Sequence, residues 1–261
     1  MTVNVIAPLR HGFFMTVNPL AKFGACVLIT AVLVISVDPI SASVALLLEC
    51  VALALCGVRF AAVLPRIAPI LMAAPLTALV TLLYGRSSGT VYVRWWAVEI
   101  SAGSAQLALS TLLRVIAIGV PAVILFMTID LTEFADALGQ IMRLPSRFVI
   151  GALAGLRLLE LFVDDWHALT AARRARGVAQ SRALRRFFGQ AFTLFVLSLR
   201  RSAKLATAME ARGFGAEPTR TWARASLFRG RDWLTLAVAA SIATLSVIVA
   251  VTTGAWNVLG S

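Results

Sequence analysis

The side chains best suited to a specific chemical task are two arginines that occupy the same place in a repeated tripeptide. The motif is Ala-Arg-Gly, and its arginines lie at positions 176 and 212, 36 residues apart. Arginine presents a fixed fork of N–H donors that can bind a carboxylate through two hydrogen bonds. The chemistry that this pattern favours is therefore recognition of an acidic partner. The two copies are Ala175-Arg176-Gly177 and Ala211-Arg212-Gly213.

Residue types that perform catalysis or hold metals are few and scattered along the chain. The sequence has two histidines, His11 and His167, and three cysteines, all in apolar runs and without a CxxC spacing. No nucleophile, base and metal-ligand set can be assembled from them. The sequence also contains no GxxxxGK[ST] phosphate-binding loop. We therefore expect no enzyme activity and no bound metal or cofactor in this chain.

The composition indicates a membrane protein. Of 261 residues, 60% are hydrophobic and only 14% are charged, and the mean hydropathy is +0.89. A soluble domain has about a quarter charged residues, so this chain has too little polar material to cover itself in water. The net charge of +12 is explained by the excess of basic residues on the cytoplasmic side of membrane proteins. We expect a lipid bilayer, not nucleic acid, as the surrounding of this chain.

Long apolar runs predict an all-α polytopic fold with about five transmembrane helices. The turn after the first run is marked by Asp38-Pro39, since proline disfavours a helical residue before it. Two ionisable residues, Glu49 and Arg114, fall inside predicted spans, where they could pair, line a wet gap or contact a partner. The five predicted spans are Leu20–Val37, Ala42–Val58, Ile67–Tyr84, Ala105–Met127 and Trp233–Val251.

A basic insert separates the fourth span from the last one. Residues 130–231 hold 17 of the 24 basic and 8 of the 12 acidic residues. The chain thus divides into a region of four spans (1–129), a region of coupling helices (130–231) and the last span with the C-terminus (232–261). With the N-terminus and the insert in the cytoplasm, every loop follows the positive-inside rule except the pair Arg86 and Arg94. The C-terminal segment 256–261 is then outside.

Two apolar stretches inside the insert, Phe148–Val163 and Phe187–Leu199, are short for spans. If both crossed the membrane, the arginine-rich segment 164–186 would face outward, against the positive-inside rule. We predict amphipathic helices along or below the membrane, with Arg200, Arg201 and Lys204 on the opposite side from an apolar stripe. This stripe is either ordinary helix packing or a partner surface. Its residues are Phe162 and Trp166 in one helix, and Phe188, Phe192, Phe195, Val196, Leu199, Ala203 and Ala206 in the next.

Glycine directly after a helix is a common stop signal, because it adopts the left-handed conformation without a steric penalty. We expect each Ala-Arg-Gly copy to end a helix of the insert. The chain resembles the transmembrane T component of energy-coupling factor (ECF) transporters, which import vitamins and metals. The resemblance extends over nearly the whole chain, with the paired motif as its specific part. Its supporting segments are Asn18-Pro19-Leu20-Ala21-Lys22, Leu138–Pro145, Leu156–Gly177 and Ala208–Gly215.

The resemblance implies a transport subunit in a bacterial or archaeal cell membrane that binds no substrate itself. Such a subunit links two cytoplasmic ATPase subunits, identical or different, to a separate substrate-binding S component. ATP and Mg²⁺ are then held by the ATPases. Each Ala-Arg-Gly tip is implied to dock in a groove of one ATPase. A candidate surface, either for the S component or for helix packing, is formed by Phe162, Trp166, Phe192, Phe195 and Leu199.

Three other functions are less consistent with the residues. A membrane-embedded enzyme needs a convergent catalytic set, which is missing from the sequence. A stand-alone secondary transporter is expected to show inverted repeats among its spans, and none is evident. An ordinary ABC permease acts as a pair with one coupling helix each, whereas this chain carries two coupling tips.

Overall fold

A computed structural model describes residues 16–36, 38–58, 60–85, 90–95, 98–177, 183–214, 222 and 224–254. These residues form eight α-helices and one short β-hairpin. They group into two compact units, one of Met1–Asp130 with Leu227–Ser261 and one of Leu131–Ser226. His11, Arg86, Trp96 and segment 256–261 lie outside the described residues. The helices are α1 (Pro19–Ile35), α2 (Pro39–Leu55), α3 (Phe60–Tyr84), α4 (Ala102–Thr128), α5 (Leu131–Gln140), α6 (Ser146–Ala175), α7 (Ala183–Ala211) and α8 (Gly230–Thr252).

The first unit contains a helix for each of the five predicted spans. By length and composition, three of these helices can cross a membrane: Val63–Tyr84 within α3, then α4 and α8. Helices α1 and α2 are equally apolar but have 17 residues each, or roughly 25 Å. The structure therefore supports a helical membrane protein, and the count of five spans stays a prediction.

The predicted break at Asp38-Pro39 is present. Pro39 is the first residue of α2, and the Asp38 carboxylate accepts the backbone N–H of Ser41 at 2.7 Å. The hydroxyl groups of Ser36 and Ser41 also donate to Asp38. Asp38 is buried, so these donors replace the water that the carboxylate loses. The turn is thus held by a buried polar cluster of Ser36, Asp38 and Ser41.

Helix α3 begins earlier than the predicted span. It runs from Phe60 to Tyr84 and continues through Pro65, Pro69 and Pro75, whereas the sequence places its start at Ile67. Proline inside a helix removes one hydrogen-bond donor, but membrane helices tolerate it when neighbouring groups re-satisfy the backbone. Helix α3 packs against α4, and the core beside it is formed by Val63, Ile67, Val120 and Ile124.

A short β-hairpin precedes α4. It lies between the third and fourth predicted spans, where the apolar pattern predicts only a loop. Strands β1 (Val91–Trp95) and β2 (Val98–Ser101) are antiparallel, with Trp95 opposite Val98. Ser101 then caps α4, since its side chain accepts the N–H of Ser104 and Ser104 accepts in return. This capping box moves the start of α4 to Ala102, three residues before the predicted span.

Helix α4 lies at the centre of the first unit and contacts α1, α2 and α3. Helix α8 packs on α1 and α2. The last span thus returns to the N-terminal helices, although the insert separates them in sequence. The shared core contains Leu33, Ala45, Ala117 and Ile242.

The second unit consists of α5, α6 and α7. The apolar stretches 148–163 and 187–199 lie within α6 and α7, which extend well beyond them into charged sequence. Neither helix contains an apolar window long enough to be a candidate span. Consecutive helices contact each other, α5 with α6 and α6 with α7. The insert is therefore helical, as predicted.

Candidate functional site

The first Ala-Arg-Gly copy forms the C-terminal tip of α6. Ala175 is the last helical residue, Arg176 is the C-cap and Gly177 adopts a φ of 70°. The N–H of Gly177 donates to the Arg174 carbonyl at 3.1 Å, which closes the last turn. All three residues of the copy are exposed. Among the described residues the Arg176 guanidinium has no hydrogen-bond or ion-pair partner.

The second copy repeats this geometry at the end of α7. Ala211 is the last helical residue and Gly213 has a φ of 74°. The N–H of Gly213 donates to the Glu210 carbonyl at 2.9 Å, and that of Phe214 donates to the Met209 carbonyl at 2.9 Å. These two bonds define a Schellman motif. Ala211, Arg212 and Gly213 are exposed as well.

Two other helices end with the same glycine cap but carry no arginine. Gly57 after α2 has a φ of 78°, and Gly254 after α8 has a φ of 67°. The residues before these glycines are Cys56 and Thr253. The cap therefore does not need arginine, so capping does not explain why Arg176 and Arg212 occupy these tips.

The two tips end different helices and lie well apart. Helix α7 has 29 residues and is roughly 43 Å long. Gly177 precedes the first residue of α7, Ala183, by six positions, which span at most about 20 Å. The first tip is therefore within about 20 Å of the start of α7, and the second tip is at its end, so the two tips are at least roughly 20 Å apart.

One face of α7 packs against α6. Leu194 is 1% exposed and Gln190 is also buried, and the Gln190 side-chain amide donates to the Thr170 hydroxyl at 3.3 Å. Further along, Arg201 donates to the Asp165 carboxylate at 2.7 Å. This pair is partly exposed, so it contributes under about 1 kcal/mol. Arg201 therefore lies on the face that packs against α6, opposite the apolar stripe, as the sequence predicts.

The opposite face of α7 is an exposed apolar stripe. Helical residues advance by about 100° each, which places residues 188, 192, 195 and 199 on the side away from Gln190 and Leu194. Their exposed fractions are 67%, 69%, 58% and 53%. More than half of each side chain is thus exposed, although the Phe188 ring also contacts that of Phe187. We call Phe188, Phe192, Phe195 and Leu199 the α7 stripe.

The two predicted surface residues of α6 differ in environment. Trp166 lies at the contact with α7, where its ring packs on that of Phe187 with 5.6 Å between centroids. Phe162 is 37% exposed. The structure thus gives Trp166 a helix-packing role, whereas Phe162 stays accessible. The α7 stripe is on the far side of α7 from this contact.

A polar junction joins the ends of three helices in the first unit. Asp232, in the first turn of α8, accepts the backbone N–H groups of Asn18 and Arg229, each at 2.6 Å. The Lys22 ammonium donates to the carbonyl of Thr128, the last residue of α4, at 3.3 Å. Asp232 and Lys22 are both buried. Lys22 belongs to a segment singled out from the sequence, whereas Asp232 does not, although a lone acid three residues into an apolar helix is a capping signal.

Glu49 and Arg114 do not pair with each other. Both carboxylate oxygens of Glu49, and Nε and Nη2 of Arg114, are buried without a hydrogen-bond partner among the described residues. Pairing, the simplest of the alternatives open from the sequence, is therefore wrong. No group of three or more His, Cys, Asp or Glu residues that could hold a metal occurs in the described part of the chain.

Comparison with known proteins identifies the family of this chain. Residues 13–222 match the CbiQ family, described as cobalt transport proteins. The energy-coupling factor transporter transmembrane protein EcfT of Limosilactobacillus fermentum is 30% identical over 189 residues, which cover 68% of this chain and 70% of that protein. The protein of the same name from Exiguobacterium sibiricum is 28% identical over 182 residues, covering 65% and 69%. The chain therefore belongs to the CbiQ family and is a transmembrane T component of the energy-coupling factor transporters.

Proposed function

We propose that this chain couples ATP hydrolysis by two cytoplasmic ATPase subunits to movement of a substrate-binding S component, for uptake of a vitamin or a transition metal. The observation that carries the proposal is the pair of exposed arginines at the tips of α6 and α7. Each arginine sits before a glycine that caps its helix without help from the arginine side chain. ATP and Mg²⁺ are bound by the partner ATPases, identical or different, and this chain contributes no catalytic residue.

Each tip is suited to an acidic groove. The guanidinium projects from the end of a helix whose C-terminal carbonyls carry partial negative charge, and a cation there is favourable. Inside a groove it can bind a carboxylate through two parallel hydrogen bonds. Breaking such a desolvated pair from one side costs about 2–5 kcal/mol, because the partner carboxylate is left unpaired. An exposed arginine without a partner contributes far less.

The α7 stripe is proposed as the surface for the S component. Its side chains are exposed over a contiguous helical face, and exposed apolar patches of this kind mark protein or membrane contacts. Phe192, Phe195 and Leu199 are its central residues, and Phe162 on α6 is a further accessible aromatic. In this proposal Trp166 holds α6 against α7 and does not touch the partner.

The proposed topology has five spans, a cytoplasmic N-terminus and insert, and an external C-terminus. Placing the insert on the cytoplasmic side gives the arginine tips access to the ATPases. The support is the distribution of arginine and lysine, with the insert holding 17 of the 24 basic residues. In this arrangement the two 17-residue helices α1 and α2 cross where the bilayer is thinned or the flanking residues reach the interface.

Charge reversal at the tips tests the coupling role. Arg176→Glu or Arg212→Glu should release ATPase subunits from the purified complex and abolish transport, while the chain still inserts and accumulates. Arg185→Glu and Arg200→Glu are matched controls, because both arginines are exposed on α7 and the charge change is the same. Arg176→Lys keeps the charge but loses the bidentate fork, so an intermediate loss is expected. Equal, mild effects of all four reversals would show that the insert supplies only diffuse positive charge.

Polar substitution of the stripe tests the S-component role separately. In the Phe192→Ser and Phe195→Ser variants we expect normal abundance and retained ATPases, but loss of the S component on co-purification. Phe148→Ser is the control, since Phe148 is 77% exposed but lies on α6 outside the stripe. An intact complex that still transports would exclude the stripe as the S-component surface.

A further inference from the structure

A largely apolar cavity of about 240 Å³ lies inside the first unit, between α1, α2, α4 and α8. It is located where α1 and α8 begin and where α2 and α4 end, as its lining residues Val17, Cys56, Leu125 and Leu234 indicate. An apolar cavity of about 150 Å³ inside a protein is large enough to bind a benzene molecule. This cavity can therefore hold a substantial part of a small apolar ligand.

One carboxyl group interrupts the apolar lining. Glu49 is 3% exposed and lines the cavity, and neither of its carboxylate oxygens has a hydrogen-bond partner among the described residues. A buried polar group without a partner costs about 1–3 kcal/mol. Lys22 also lines the cavity, but its ammonium donates to the Thr128 carbonyl at 3.3 Å. The Glu49 carboxyl is thus an acceptor that faces an apolar space.

Water alone is a poor occupant of this space. A buried water molecule makes about three hydrogen bonds, and apolar cavities stay dry. Besides Glu49, the polar side chains of the lining are Lys22, Cys26, Cys56 and Thr235. The Lys22 ammonium and the Thr235 hydroxyl already donate to backbone carbonyls, so a water molecule in this cavity meets mainly apolar side chains. A ligand with an apolar body and a single donor satisfies both the walls and the carboxyl.

We propose that this cavity binds a single-chain amphiphile whose neutral head group, a hydroxyl, donates a hydrogen bond to the Glu49 carboxyl. The alkyl chain of the ligand fills the apolar part of the cavity. A neutral head group brings no charge into the low-dielectric interior, where a charge is costly. Entry is possible from the lipid phase, because Leu55 and Leu234 line the cavity and are 84% and 55% exposed.

Photoaffinity labelling tests this site. The probe is a long-chain primary alcohol with a diazirine in its alkyl chain, added to vesicles that contain the full-length chain. We expect saturable labelling of cavity-lining peptides, located by mass spectrometry. Unlabelled dodecanol should compete, whereas dodecane, which lacks the donor, should compete roughly tenfold less well. Equal competition by dodecane, or labelling spread evenly over lipid-facing residues, would overturn the proposal.

Three variants separate the carboxyl from the cavity shape. Glu49→Leu should weaken saturable labelling roughly tenfold, since the acceptor is removed. Glu49→Gln should retain labelling, because its amide oxygen still accepts a hydrogen bond. Ala52→Leu fills the cavity and should abolish labelling, whereas its control Ala31→Leu, on an exposed position of α1, should not. Unchanged labelling in Glu49→Leu, in protein that accumulates normally, would exclude Glu49 as the head-group site.

Discussion

The Asp232 carboxylate accepts the backbone N–H of Asn18 at 2.6 Å, across 214 positions of sequence. Its other oxygen accepts the N–H of Arg229, so one side chain ties the start of α8 to the start of α1. Asp232 lies only six positions after Ser226, the last residue of the second unit. This hydrogen bond therefore fixes the point at which the chain returns to the first unit.

Removing this carboxylate should destabilise the first unit. Asp232→Ala leaves two backbone N–H groups without their charged acceptor, which costs roughly 3 kcal/mol. We expect a clearly lower melting temperature for the purified protein in detergent. Asp164→Ala, at an exposed position of α6, serves as the control and should leave the melting temperature unchanged. If the two variants melt alike, the Asn18–Asp232 bond does not hold the helix ends together.

The glycine caps allow backbone strain to be separated from partner binding. Gly213→Ala and Gly57→Ala each force a Cβ into a left-handed conformation, at a cost of about 1–2 kcal/mol. Both glycines have open space around them, so no steric clash is added. We expect similar losses of stability but a loss of ATPase retention only in Gly213→Ala, because only that cap orients a tip arginine. ATPase release by both variants would point to a general folding defect.

Two leucines on opposite faces of α7 should differ sharply in how much stability is lost when each is replaced by alanine. Leu194 is 1% exposed and Leu199 is 53% exposed. Leu194→Ala should therefore cost about 2–5 kcal/mol, while Leu199→Ala should change stability by less than about 0.5 kcal/mol. Amide hydrogen exchange of α6 and α7 measures the difference as the free energy of local opening. Faster exchange in Leu199→Ala would mean that the stripe contributes to packing within the chain.

Cysteine accessibility tests the topology. In a background with Cys26, Cys50 and Cys56 replaced by Ala, a new cysteine is introduced at Thr90 before the hairpin or at Thr207 in α7. Both positions are exposed. An impermeant maleimide applied to intact cells should label Thr90→Cys but not Thr207→Cys. After the membrane is opened, the reagent should label Thr207→Cys as well. Labelling of Thr207→Cys in intact cells would contradict the proposed orientation.

The helical architecture and the two tips could be predicted from sequence because their causes are local. Apolar runs of span length appear directly in the composition, and proline after Asp38 marks a turn without any tertiary information. Gly177 and Gly213 end their helices as predicted, since the left-handed cap depends on glycine itself. The hairpin also has a local signal, because β-branched and aromatic residues dominate segment 91–100.

Other features depend on residues far apart in sequence. In the sequence, Asp232 is simply an acidic residue at the edge of a span. Its role becomes visible only in the fold, which brings the backbone N–H of Asn18 to its carboxylate. From the sequence, Glu49 and Arg114 could form an ion pair. In the folded protein they do not form a hydrogen bond with each other. The α7 stripe can be predicted as a face, but its exposure depends on which side of α7 packs against α6. Periodicity identifies faces, and only tertiary packing identifies the neighbour of each face.

The length of α7 has a mechanical consequence. The helix contains no proline, unlike α3 with its three, and sharp kinks in helices arise mainly at proline and a few other specific sites. We therefore expect helix α7 to be stiff along its length. If the proposed partners draw together at the two tips, this helix turns or tilts instead of bending. The number of residues sets its reach, and one added helical turn lengthens it by roughly 5 Å.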